Sequence, residues 1–493
     1  MRASGILLHV SSLPGGYGIG TLGKEAYRFV DFLSKANQKY WQVLPLGPTS
    51  FGDSPYQTFS AFAGNPYFID LDLLVEDDLL TTDDCRILMT KPIDKVDYAH
   101  QYRYRILMLK KAYNQFVHNT QLSEFYDFKL KHSDWLEDYA LFMAIKYQKP
   151  EADWSKWKPE YKNRNKRALA LFANSHHQEI DFWKFVQYKF FMQWLRLKEY
   201  ANAHNVQIIG DMPIYVSYDS ADVWARPEYW QLDEGLKPTV VAGVPPDFYA
   251  KTGQLWGNPI YDYDLMEQDG FSWWIKRMKS GFEIFDVIRI DHFRGFDAYY
   301  AVPTPAKDAT NGQWIKGPGY KLFSHLKAVL GNGKIIAEDL GFLTPSVYEL
   351  LAACGYPGMK ILQFGFDHRE DSEYAPHNYS YNSVAYPGTH DNSTLKGWLK
   401  NLNKEDYRYF CDYMQVKNRR KAVDRAIIEC FKSPCWLSII PIQDYLRLDD
   451  RARFNIPSTL GGNWVWRLKP GILTEKLAAR IRRLTRLYRR YKN

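Results

Sequence analysis

The feature that most restricts the fold of this chain is a repeating order: a short apolar, β-branched run, a polar loop, then a helical pattern. Eight such runs occur, at residues 5–10, 40–46, 206–216, 285–290, 334–337, 359–366, 383–387 and 435–442. Unbroken apolar runs of this length suit strands covered on both faces, as in a parallel sheet. Helical patterns stand between several of them, at residues 25–36 and 320–330 for example. Eight strand–helix units predict an α/β fold, a closed (β/α)8 TIM barrel ahead of an open sheet.

The spacing of the runs predicts where the barrel is interrupted. Large insertions are expected after strands 2 and 3, within a single barrel that takes in residues 1–493. Residues 60–200 are charge-mixed and helical in pattern, and predict a mainly helical subdomain. Residues 218–284 are rich in Pro, Gly and aromatics, and predict a structured binding loop. Too few residues follow the eighth run to form a C-terminal β-sandwich domain.

Composition narrows the function classes. Of the 493 residues, 46% are apolar and 24% charged, and the mean hydropathy is −0.44, values of an ordinary soluble protein. The 16 Trp, 36 Tyr and 28 Phe make up 16% of the chain, more than a core requires, so some are expected to face a ligand. The net charge of +8 is local: residues 476–493 hold eight Lys or Arg and no acid, leaving the rest formally neutral. That segment places Leu477, Ile481, Leu484, Tyr488 and Tyr491 at helical spacing, which predicts a docked terminal helix with a basic outer face. Neither nucleic acid nor a membrane is an expected partner. Five cysteines without a CxxC pair fit a reducing, cytoplasmic setting. The opening apolar run is too short for a signal peptide, and no run reaches the roughly 18 apolar residues of a membrane span.

Several motifs carry less than they suggest. Gly18-Ile19-Gly20-Thr21-Leu22-Gly23 matches GxGxxG, but no acid follows the second strand to hold a ribose, so these read as turn glycines. Gly331-Asn332-Gly333-Lys334 precedes its strand and lacks the Ser or Thr of a phosphate loop. Asp262-Tyr263-Asp264 lacks the later ligands of a calcium loop, and there is no HExxH, so no metal is expected.

The informative positions are acids at strand ends, the rim where a barrel carries its chemistry. The fourth run ends in Arg289-Ile290-Asp291-His292-Phe293-Arg294-Gly295, the fifth in Ala337-Glu338-Asp339-Leu340-Gly341, and the seventh in Gly388-Thr389-His390-Asp391-Asn392. Neighbouring strands run about 4.8 Å apart. Asp291 and Glu338 are therefore expected about 5 Å apart, the separation of a retaining glycosidase pair. Arg289 shares a strand face with Asp291 and is expected to hold it ionised by depressing its pKa. Glu338, with no such cation, is expected higher and suited to be the acid.

These segments, in this order, resemble the catalytic segments of the amylomaltases, 4-α-glucanotransferases related to the α-amylase superfamily. The resemblance extends to S-P-Y-Q-T-F-S-A-F-A-G-N-P-Y from Ser54, G-D-M-P-I-Y-V from Gly210, G-V-P-P-D-F-Y-A-K-T-G-Q-L-W-G-N-P from Gly243 and N-I-P-S-T-L-G-G-N-W-V-W-R from Asn455. It implies Asp291 as nucleophile, Glu338 as general acid/base and Asp391 as a third carboxylate that binds sugar hydroxyls. It further implies Arg289, His390 and Asp211 as substrate-binding neighbours, and Tyr56, Tyr249, Gln254, Trp256 and Asn463 along a glucan groove. The implied partners are malto-oligosaccharides and related α-1,4-glucans with glucose as acceptor. No cofactor is implied, and monomer or homodimer stays open. A hydrolase with the same acids is the alternative within enzymes, and a non-catalytic glucan-binding protein the alternative outside them.

Overall fold

In the computed structural model the described residues are 2–89, 94–118, 122–246, 250–459 and 461–491. Among the described residues twelve strands occur, in chain order: β1 (Ala3–Leu7), β2 (Tyr40–Gln42), β3 (Gln207–Met212), β4 (Val240–Val244), β5 (Gln254–Pro259), β6 (Val287–Ile290), β7 (Ala298–Pro303), β8 (Gln313–Lys316), β9 (Ile335–Ala337), β10 (Gly358–Ile361), β11 (Ser383–Tyr386) and β12 (Leu437–Pro441). Eight form one parallel sheet in the order β10-β11-β12-β1-β2-β3-β6-β9. Its outer strands meet where the Ala337 N–H donates to the Pro357 carbonyl (3.0 Å) and the Met359 N–H to the Asp339 carboxylate (2.6 Å). The result is a (β/α)8 barrel. Each of the eight apolar runs coincides with one barrel strand, because residues covered on both faces leave no room for polar alternation.

Strand alternation puts polar groups inside the upper barrel. Asp211 lies directly opposite Arg289 across the β3–β6 pair, so the two share the inner face. The Tyr386 hydroxyl donates to Gln42 (2.8 Å) across the same interior. The glycine-rich stretch after β1 is a turn. Gly18 has φ of +76°, and a Cβ on Gly20 would sit 1.9 Å from the Val10 carbonyl.

Between β2 and β3 the chain forms helices that include Tyr98–Phe116, Ser133–Lys146 and the long His177–Ala203. Between β3 and β6 it forms β4 and β5. The runs did not point to a further hairpin, β7–β8, after the fourth barrel strand. β7 pairs with β4, giving an antiparallel sheet in the order β5-β4-β7-β8. This sheet therefore joins the loops that leave and enter the rim on either side of β6.

The basic segment forms the helix Glu475–Leu487, whose Leu477, Ala478, Ile481 and Thr485 are buried. It packs against the helix Lys24–Lys35: Lys35 pairs with Glu475 (2.5 Å), and Gln38, just past that helix, donates to the Thr485 hydroxyl (2.8 Å). No helix among the described residues is long and apolar enough to cross a membrane.

Candidate active site

The rim acids follow from strand register. Ile290 pairs with Ala337, so Asp291 and Glu338 are the next residues of two adjacent strands. The ladder continues past them: the Glu338 N–H donates to the Ile290 carbonyl (2.9 Å) and the Phe293 N–H to the Glu338 carbonyl (2.9 Å). Between these, His292 takes a left-handed conformation, φ +50°, which histidine adopts more readily than most residues. That turn points its N–H at the Glu338 carboxylate, which accepts it.

Arg289 links the acids at the base of the site. Its guanidinium donates to Asp211 at 2.6 Å and to Asp291 at 3.1 Å, and it is buried. The second Asp211 oxygen accepts the Tyr56 hydroxyl at 2.6 Å. Tyr56 stacks on His390, with ring centroids 5.2 Å apart, and His390 approaches Asp391 at 3.4 Å. Four predicted residues, Asp211, Arg289, Asp291 and Tyr56, thus form one connected network, with Glu338 beside it and His390 and Asp391 across from it.

Burial decides the protonation of this cluster. Arg289 is carried well above the ordinary arginine value: burial would lower it, and the Asp211 and Asp291 charges outweigh that effect. Asp291 is pushed well above the usual carboxylate range by burial, against the pull of Arg289 and with a contribution from Glu338. Glu338 is raised by burial as well, opposed by Arg289 and by the His292 N–H. The expectation that Arg289 would depress Asp291 is therefore corrected: desolvation outweighs the guanidinium. What separates the two acids is contact, since Asp291 touches a cation and Glu338 receives a backbone N–H.

Asp391 is held by residues the motifs did not single out. The Asn455 amide donates to its carboxylate at 2.7 Å, and Arg453 donates to its backbone carbonyl. Trp464 lies against both Tyr56 and His390, at 5.9 Å from each. Asn463 points elsewhere: its side chain accepts the Ile456 N–H (3.0 Å) and donates to Thr459, bracing its own loop. Gln254 and Trp256 lie on β5, where Gln254 accepts the Trp256 indole N–H at 3.1 Å. Trp256 meets the His292 ring edge-on at 4.7 Å. Tyr249 lies outside the described residues. The signal for Asn455 was its place in the segment that begins N-I-P-S-T.

Two features elsewhere do not compete with this rim. A cavity of about 1070 Å3 is lined by Lys396, Leu399, Arg447 and Arg451 and includes none of the predicted residues. Asp367, His368 and Asp406 have metal-compatible spacing, but Arg369 binds both oxygens of Asp367 and His368 pairs with Asp406 at 2.7 Å. Those charges are already answered.

A family model described as 4-alpha-glucanotransferase matches residues 8–474. The 4-alpha-glucanotransferase of Streptococcus pneumoniae (strain TIGR4) is 47% identical over 493 residues, covering 99% of this chain and 97% of that protein. That of Thermus thermophilus is 45% identical over 491 residues, covering 98% and 97%. The solved structure of the amylomaltase from Streptococcus agalactiae in complex with acarbose is 42% identical and superposes with a TM-score of 0.97, each chain covered in full, 100% of both. The amylomaltase from Corynebacterium glutamicum, 17% identical, shares the fold at a TM-score of 0.76, covering 100% of this chain and 75% of that one.

Proposed function

The chain belongs to the 4-alpha-glucanotransferase family, and from that premise we propose that its rim acids divide the work of a retaining double displacement. The enzyme is a hexosyltransferase: it cleaves an α-1,4-glucan and passes the released segment to a new 4-hydroxyl. Hydrolysis, the alternative reading, is not favoured by this membership.

In this reading Asp291 attacks C1 of the donor sugar while Glu338 gives its proton to the departing glycosidic oxygen. The C1–O bond breaks, and an ester forms between C1 and the Asp291 carboxylate. Glu338, now ionised, takes the proton of an acceptor 4-hydroxyl, whose oxygen attacks C1 and releases Asp291. Two inversions return the α-configuration. Burial alone would favour a proton on Asp291. The working form carries the proton on Glu338, which has no cation in contact, and the 3.1 Å guanidinium contact stabilises the Asp291 charge against the burial that opposes it.

Asp391 binds hydroxyls of the attacked sugar and favours a distorted ring. Asp211, Arg289, Tyr56 and His390 line the same subsite, and Gln254 and Trp256 the groove beyond, whereas the Asn463 side chain is taken up by its own loop. Residues 60–200 are read as a mainly helical insertion subdomain, 218–284 as the insertion with the aromatic glucan-binding loop, and a glucose 4-hydroxyl as one acceptor. A cytoplasmic setting fits the five unpaired cysteines. The observation that carries the mechanism is Arg289 joined to Asp211 and Asp291, with Glu338 in register on the next strand.

The test is incubation with maltotriose. Longer oligomers plus glucose are expected, and Asp291→Ala is expected to lose at least about a thousandfold in kcat. A fluorinated glucosyl donor that traps the ester should label Asp291, located by peptide mass spectrometry. A label on another residue overturns the assignment.

A further inference from the structure

Two aromatic side chains next to the acid/base have no part in this scheme. Trp314 lies on β8, the edge strand of the antiparallel sheet, and is 38% exposed. Phe342 lies four residues past Glu338 and is 75% exposed, the cost of which a lone loop phenylalanine could avoid by turning inward. Arg294 joins the two. It sits three residues past Asp291 and is itself buried, with its guanidinium 3.7 Å from the Trp314 ring centroid and a hydrogen bond to the Phe342 carbonyl. Tyr300, paired with Trp314 across β7–β8, meets it edge-on at 5.1 Å. The indole is thus braced by Arg294 over its ring and by Tyr300 edge-on, with part of the residue left exposed.

We propose that Trp314 and Phe342 form a platform for the leaving and acceptor portions of an α-1,4-glucan, beyond the sugar bonded to Glu338's side of the cleavage point. This rests on Glu338 being the acid/base. In that reading the attacked sugar is bounded by Asp211 on β3, Tyr56 after β2, and His390 and Asp391 after β11, with Arg289 of β6 at its base. The proton donor has to touch the oxygen of the broken bond, so the departing segment lies past Glu338, where the loops after β6 and β9 rise. Those are the loops that carry Trp314 and Phe342. A pyranose presents C–H groups on its less polar face, and the negative face of an aromatic ring receives them. Rigid rings lose little conformational freedom on binding, and Arg294 fixes Trp314 further. The platform continues the edge-to-edge course of a sheet whose far strand, β5, bears Gln254 and Trp256.

The test compares maltotriose with maltoheptaose in Phe342→Ala, Trp314→Ala and Trp314→Phe. Each alanine variant is expected to raise KM for maltoheptaose about three- to tenfold and KM for maltotriose by a smaller factor, with the melting temperature held for Phe342→Ala. Trp314→Phe should recover most of the loss. Equal losses with both substrates, or none with either, overturn the platform. Glu338→Gln retaining turnover would overturn the acid/base assignment instead, a result read without reference to chain length.

Discussion

Asn455 donates to Asp391 and touches no other rim acid, so its removal isolates the orientation of one carboxylate. Asn455→Ala is expected to lower kcat about ten- to a hundredfold with little change in KM, because a misplaced hydrogen-bonding group is felt mainly in the distorted transition state. Arg289→Lys replaces a planar fork that serves Asp211 and Asp291 together with a single ammonium. A fall in kcat of about a hundredfold or more is expected, read by steady-state maltotriose kinetics. The three rim acids were legible because each ends an apolar run, and strand alternation already put Arg289 with Asp291. Asn455 and Trp464 were not, since no local period links them to Asp391 across about 65 residues of intervening chain. The direction of the Asp291 shift was missed for a related reason: a neighbouring cation can be read from alternation, whereas depth of burial is set by the whole rim.

The short helix Leu395–Asn401, which follows the Asp391 loop, begins on two acids. Asp444 accepts the Leu395 N–H (2.8 Å) and Asp450 the Thr394 N–H (2.9 Å), as suits a helix N-terminus. Burial pushes Asp444 up to about 7, opposed by the Leu395 N–H and aided by Asp450. An unfolded Asp titrates at about 3.9, so the folded state binds this proton more tightly. Its stabilising contribution is full below about pH 4 and is lost as pH rises through about 7. Melting temperature should therefore fall between pH 5 and pH 8, and Asp444→Asn, which keeps the acceptor oxygen, should flatten that slope. At this scale the barrel strands were readable and the β7–β8 hairpin was not. Residues 298–303 are apolar enough for a strand, but β7 takes β4 as a partner from some 60 residues earlier. Nothing in the local pattern names that partner.

The charge excess is only partly taken up by packing: Lys476, Arg482, Arg483, Arg486 and Arg489 stay exposed, and Arg490 turns inward. Arg490 is fully buried and donates to the carbonyls of Ala3, Cys430, Phe431, Ser433 and Cys435, groups at the β1–β12 seam. Arg490→Met would remove the donor these carbonyls share, with Arg2 still donating to Ser433 (2.8 Å) and the Ser433 hydroxyl to Cys430 (2.8 Å), at a cost of about 3 kcal/mol, measurable as a lower urea midpoint with the slope unchanged. The sheet that ties β4 to β7 has a different consequence. It bridges the chain on both sides of the strand that presents Asp291, so that strand is held by main-chain bonds that do not involve its reactive side chain. Chemistry and scaffold are separable here. A protein silenced at position 291 keeps its receptor shape, and so can serve as a capture reagent for intact oligosaccharides.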